Sequence, residues 1–230
     1  VKPLRVNWNP CVRVIPSRFP PIALFERVAL PEDLEAVYAL EALTNDRIRE
    51  EVGDLTLIPP EERTSGPGAG YVMAAFTHLN PCGSRFSPGS FGIYYAAGDL
   101  ETAIAETVHH LVRRMRETQE APQELDMQVL HAHLRGSLLT LDRKHHASLL
   151  RSDSYADSQP FGLKARMEGA DGIHYPSVRW EGGFCAAVFK PRLLGKCTPV
   201  RRLTYPWDGE GIQRDRIYEK SALPLTRNLR

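Results

Sequence analysis

The sequence predicts a mixed fold in which helices and short strands share one core, and three observations carry that expectation. Leu100, Ala103, Ile104, Thr107, Val108, Leu111 and Met115 recur at the helical period behind Asp99, a good N-cap. Apolar runs bounded by Gly and Pro, at residues 93–95 and 185–189, read as buried strands. A chain of 230 residues that is 42% hydrophobic can bury one substantial core, so one domain with extensions is expected.

Taken in order, residues 1–24 hold five prolines and read as an irregular arm, a short strand in CVRVIP followed by an extended stretch. A helix is expected over residues 31–53: Pro31 suits a first helical position, Glu32 and Asp33 suit its first turn, and Leu34, Val37, Leu40 and Ile48 supply an imperfect apolar face. The glycine-rich stretch TSGPGAG, residues 64–70, precedes the helical segment YVMAAF. Such a loop can offer backbone N–H groups to phosphate, but it lacks the lysine of a P-loop and the GxGxxG spacing, so by itself it reads as a turn. Beyond the central helix, residues 125–134 alternate as a strand with His131 and His133 on one face. Residues 138–141 read as another short strand and 159–167 as a helix closed by Gly169. Ile173 and Tyr175 mark a strand and residues 177–183 a loop, which leaves Ser177 either an ordinary turn serine or a hydroxyl aimed at a cleft. The segment after Trp207 has little periodicity and is expected to be peripheral.

Composition removes several function classes. A net charge of +1 gives no electrostatic case for nucleic acid, and Arg113, Arg114 and Arg116 read as the wet end of a helix. No apolar run approaches the roughly 20 residues of a membrane span, and no N-terminal signal pattern is visible, so a soluble cytoplasmic protein is expected. Cys11, Cys82, Cys185 and Cys197 form no CxxC pair, and the histidines lack HExxH spacing, so neither disulfides nor a metal site is expected.

Glu106 lies roughly opposite the apolar stripe of its helix, with Thr102, His109 and Arg113. Periodicity alone makes it a solvated glutamate; the other reading is that this face borders a cleft. A serine hydrolase would need an activated nucleophile, yet Ser177 sits in YPSVR without the GxSxG elbow, and two-carboxylate glycosidase chemistry needs a second acid that does not stand out. An arginine, a tyrosine, a glutamate and a serine suit another task. Arginine can grip a pyrophosphate with two bonds, tyrosine can stack on a flat ring, and glutamate can orient a ribose hydroxyl and stabilise charge developing at the anomeric carbon. Cleavage of a nicotinamide–ribose bond would require such a set.

The arginine of SRFSPGSFG, the run YYAAGDLETAIAE, and DGIHYPSVR with GGFCAAVFKP resemble the RES domain, named for its arginine, glutamate and serine, found in toxin subunits of bacterial toxin–antitoxin pairs. Arg85 matches the family arginine, Tyr95 the tyrosine of its YLA-like strand, Glu106 the helix glutamate and Ser177 the serine; SGPGAG resembles its SGxGA stretch, and Arg13 or Arg18 an earlier arginine. The resemblance covers residues 64–191, taken as the catalytic core, with residues 1–63 as an N-terminal arm and helical extension and 192–230 as a C-terminal extension. It implies an α+β, ADP-ribosyltransferase-like fold of small twisted sheets with flanking helices around an NAD cleft. It implies Arg85, Glu106 and Ser177 as catalytic residues and Tyr95, Arg13 and Arg18 as substrate-binding ones, with no cofactor beyond NAD as substrate. The reaction expected is loss of nicotinamide to water or phosphate. The alternatives are mono-ADP-ribosylation of a protein, or a partner-binding module without catalysis. The implied partner is an Xre-like antitoxin with a helix-turn-helix, with room for a homodimer inside that complex and no direct contact with nucleic acid or membrane.

Overall fold

The computed structural model describes residues 1–28, 30–43 and 48–220. Among the described residues seven strands form one sheet: β1 (Pro3–Pro16), β2 (Tyr94–Ala97), β3 (Gln123–Thr140), β4 (Gly172–Pro176), β5 (Phe184–Val188), β6 (Thr198–Trp207) and β7 (Tyr218–Glu219). Their order is β1-β2-β5-β4-β3-β6-β7, and β1 also pairs with β3, so five of the strands close into a ring and β6 and β7 extend from it. Only the β3–β4 pairing is parallel among those described. The expectation of small separate sheets is corrected by this continuity: β3 is long enough to pair with β1, β6 and β4 along its length.

The proline-rich arm is in fact a strand. Pro3 and Pro16 stand at its two ends, and Pro10 falls inside the register shift between Trp8 and Cys11, the positions where a missing N–H costs the ladder least. The two short strands expected at 125–134 and 138–141 are one, because β1 continues to pair across the glycine, with Val6 opposite Gly136. The single helix expected over 31–53 is also corrected. A 3₁₀ turn (Pro31–Asp33) leads into α2 (Leu34–Glu41), and α3 (Ile48–Val52) follows. Residues 44–47 of that expectation lie outside the described residues. Leu40, assigned to the buried face, is exposed, so the apolar stripe is broken there.

Side-chain alternation divides the sheet into two faces. On β3 the even residues Leu130, Ala132, Leu134 and Leu138 join Tyr94, Ala96, Ala186 and Val188 under α1 (Ala23–Arg27), α2, α3 and α4 (Ala69–Thr77). The odd residues Met127 and Val129 join Val12, Val14, Leu203, Tyr205 and Trp207 under α5 (Leu100–Glu117). Ile173, Tyr175, Cys185 and Ala187, also on that second face, pack with α6 (Ser158–Met167). The second face thus carries two helices, each over its own part of the sheet. The segment after Trp207 contributes β7, paired to β6, so it is not wholly peripheral; residues 221–230 lie outside the described residues. Among the described residues no helix is long and apolar enough to cross a membrane, and Cys11, Cys185 and Cys197 are buried free thiols.

Candidate active site

The helix α5 starts where Asp99 caps it. The Asp99 carboxylate accepts from the Thr102 backbone N at 2.7 Å and from Thr102 Oγ1 at 2.8 Å. Glu101 in the first turn and Arg114 and Arg116 in the last suit the helix dipole. Thr102, expected on the wet face, is fully buried, because that face is pressed against the loop between β4 and β5. The approach depends on Gly183: a Cβ there would sit 2.1 Å from Thr102 Oγ1. One turn on, the same face carries Glu106, half-buried at the mouth of that contact.

Ser177 closes the loop with its backbone N donating to Gly183 O at 2.8 Å. Its hydroxyl donates to Glu106 Oε1 at 2.6 Å, and its oxygen accepts from the backbone N–H groups of Arg179 and Trp180, each at 3.1 Å. Both lone pairs are thereby occupied, which leaves the proton for Glu106 and leaves no free electron pair for nucleophilic attack. Cys185 Sγ adds a weak second donor to the same Oε1 at 3.7 Å. Burial, then the neighbouring Glu106, pushes the Cys185 thiol well up, so it stays a donor.

Arg85 is held from several sides. Its Nη1 donates to Arg151 O at 2.7 Å and Leu149 O at 3.5 Å, and its guanidinium lies 5.0 Å from the centre of the Tyr155 ring. Gln159 of α6 donates to Ser84 O at 3.1 Å, and Phe86 packs on Tyr175 with ring centres 5.1 Å apart. The Tyr95 hydroxyl accepts from Phe86 N at 3.1 Å and shares a second hydrogen bond of 2.8 Å with Ser84 Oγ. Tyr95 therefore grips the residues on either side of Arg85. Burial pushes its phenol up to about 12, against those hydrogen bonds and Arg85. Burial raises the Tyr175 hydroxyl far above its ordinary range, with Cys185, Glu106 and Tyr95 acting in the same sense and Arg85 against it.

Arg179 also belongs there, although the sequence did not single it out. Burial lowers its guanidinium, Glu106 opposes this and Arg85 adds to it. His109, one turn beyond Glu106, is held down to about 4 by burial, then by Arg179 and His110.

The structure does not bring every expected residue to this place. Alternation on β1 puts Val12 and Val14 toward α5, so Arg13 points to the opposite face, 4.5 Å from the centre of the Tyr94 ring, with Nη1 on Tyr95 O at 3.2 Å. Arg18 is exposed and lies over Phe19 at 5.1 Å. The glycine-rich loop is likewise engaged elsewhere: Gly68 N and Gly70 N donate to the Glu26 carboxylate at 2.7 and 2.8 Å, so a protein acid already occupies the donors suggested for phosphate. Among the described residues no three His, Cys, Asp or Glu side chains gather as metal ligands.

The RES domain family model matches residues 60–208, which takes in β6 as well as the stretch quoted from the sequence. Over 202 residues the chain is 32% identical to the uncharacterized protein y4oC of Sinorhizobium fredii (strain NBRC 101917 / NGR234), covering 87% of this chain and 84% of that one. Among solved structures it is similar to the M. tuberculosis MbcT–MbcA toxin–antitoxin complex, with a TM-score of 0.46 and 13% identity over 90% of this chain and 88% of that one. By the reach of the family match, over residues 60–208, the chain belongs to the RES domain family.

Proposed function

We propose that this protein is the toxin of a bacterial toxin–antitoxin pair and that it removes NAD by cleaving the nicotinamide–ribose bond. The observation that carries the reading is the Glu106 carboxylate, fixed at 2.6 Å by the hydroxyl of Ser177, whose loop is tied through Arg179 to Ser152 O, next to the Arg151 carbonyl that holds Arg85. In this reading Arg85 contributes to holding the diphosphate and Glu106 binds a ribose hydroxyl. Glu106 also offers negative charge to the cationic sugar as the C–N bond lengthens. The bonding electron pair goes to the ring nitrogen, which turns a pyridinium into neutral nicotinamide. Water or phosphate then adds through oxygen to the anomeric carbon; with water its proton is released. Ser177 and Tyr95 act by position, the first on Glu106 and the second on the loop of Arg85.

The ADP-ribosyltransferase-like character of the fold and neutralisation by an Xre-like antitoxin with a helix-turn-helix, with room for a homodimer inside that complex, are implied by the family resemblance and belong to the same proposal, as does a cytoplasmic setting. Purified protein incubated with NAD, with and without phosphate, should release nicotinamide, and the mass of the second product identifies the acceptor. Glu106→Gln keeps the shape and removes the charge, and losing one preorganised electrostatic contact costs about 10² to 10³ in rate. A folded Glu106→Gln protein that consumes NAD at the wild-type rate contradicts the proposal.

A further inference from the structure

Three arginines from separate parts of the chain are tied to residues 149–152 and to the loop of Ser177, the serine that holds Glu106. Arg85 Nη1 donates to Arg151 O, Arg179 Nη2 donates to Ser152 O, and Arg143 Nη2 donates to Ser177 O. The carbonyls of two consecutive residues, 151 and 152, thus anchor the guanidinium groups of Arg85 and Arg179. Among the described residues, none of the three arginines has a carboxylate at salt-bridge distance. The acid of the site, Glu106, is engaged by Ser177 and Cys185. Arg179 Nε is shut away from solvent with no acceptor.

Arg85 is buried and Arg179 half-buried, whereas Arg143 is exposed; desolvated guanidinium groups anchored on adjacent carbonyls without an acid repel one another and leave donors under-used. A main-chain carbonyl takes up one nitrogen of each fork and fixes its direction, which lowers the cost of ordering when an anion arrives. Two forks fixed from adjacent carbonyls suit two linked oxyanion groups better than a single carboxylate, which one fork would satisfy.

We infer that Arg179, flanked by Arg143, is the second arm of a diphosphate clamp of which Arg85 is the first. The inference rests on NAD as the substrate and deepens that reading: Arg179 contacts the bound diphosphate, whereas Arg143 acts through the Ser177 carbonyl to hold the loop that carries Arg179. The sequence concealed Arg179 because SVRWEGG has no periodicity, and the residue gains meaning only when its loop meets residues 149–152.

The test is ligand affinity in the full chain, measured by titration with ADP-ribose and by its displacement with inorganic pyrophosphate. Charged hydrogen bonds are worth about 1.5 to 3 kcal/mol, so Arg179→Gln should weaken ADP-ribose about 10- to 100-fold and weaken pyrophosphate by a similar factor. Arg179→Lys, which keeps the charge and loses the fork, should fall between, and it decides the matter should Arg179→Gln not fold. Unchanged ADP-ribose affinity in both variants, or failure of pyrophosphate to displace ADP-ribose from the wild type, overturns the clamp. Tight ADP-ribose binding, sensitive to Arg179 in a protein that leaves NAD intact, overturns the proposed reaction and sustains the clamp.

Discussion

The Ser177 hydroxyl donates to Glu106 Oε1 across 2.6 Å while its own oxygen is filled by two backbone N–H groups. The direction of that proton fixes the serine's role as a support for the carboxylate. Ser177→Ala removes one donor from Glu106 and leaves two N–H groups without their acceptor. Catalysis should fall by about 10- to 100-fold, and stability by about 1–3 kcal/mol. Residual turnover with no covalent adduct on the wild-type protein, read by intact mass, is the expected result; a trapped adduct on Ser177 would reverse the assignment.

Gly183 sets the distance between α5 and the loop that carries Ser177. Ala at this position would bring its Cβ to 2.1 Å from Thr102 Oγ1, so one element must move. Overpacking of this kind costs about 1–3 kcal/mol, and a shift of about 1 Å at a reacting group can cost about 10² in rate. Gly183→Ala should therefore lower NAD turnover far more than it lowers the melting temperature. Thr102→Ala in the same chain removes the clashing atom and should restore most of the activity, whereas simple addition of the two single effects would show that the contact is not the cause.

How Tyr95 acts separates the sequence from the structure. The residues alone suggest a ring that stacks on the substrate, a role Phe would fill equally well. In the structure the hydroxyl ties Ser84 and Phe86 on either side of Arg85. Tyr95→Phe should then raise the KM for NAD several-fold, in line with the loss of about 1 kcal/mol per neutral hydrogen bond, and leave kcat within a factor of about two. Wild-type KM in that variant would favour the stacking role.

Local pattern made α5, α6, β4, β5 and the loop of Ser177 legible, because each is set by residues within a few positions of one another: the Asp99 cap, the Gly169 stop, the apolar run before Pro191. Long-range pairing was not legible. The proline-rich β1 is a strand because β3, more than a hundred residues away, supplies its partners, and its prolines fall at the ends and at the register shift. The same pairing turns Arg13 away from the site, since its side is fixed by alternation about Val12 and Val14. Glu106 was legible as a residue type but not as a site, because the helix period pointed it at solvent. The loop that covers that face is reached only through Gly183. Arg179 and the ties of Tyr95 depend wholly on tertiary contact.

His109 gives the site a dependence on acidity. Burial, Arg179 and His110 hold its pKa down to about 4, with Arg113 acting in the same sense and Glu106 against it. In the unfolded chain the imidazole titrates near 6.5, so between about 6.5 and 4 the unfolded state binds the additional proton. Stability attached to the neutral ring is therefore complete above about 6.5 and is lost as the pH falls toward 4. Because His109 is only partly buried, solvent screening reduces the size of the effect but not its sign. His109→Gln, which cannot be protonated, should flatten the fall in melting temperature over that window, measured against the wild type in matched buffers. An identical slope in the two proteins would assign the acid sensitivity to another group.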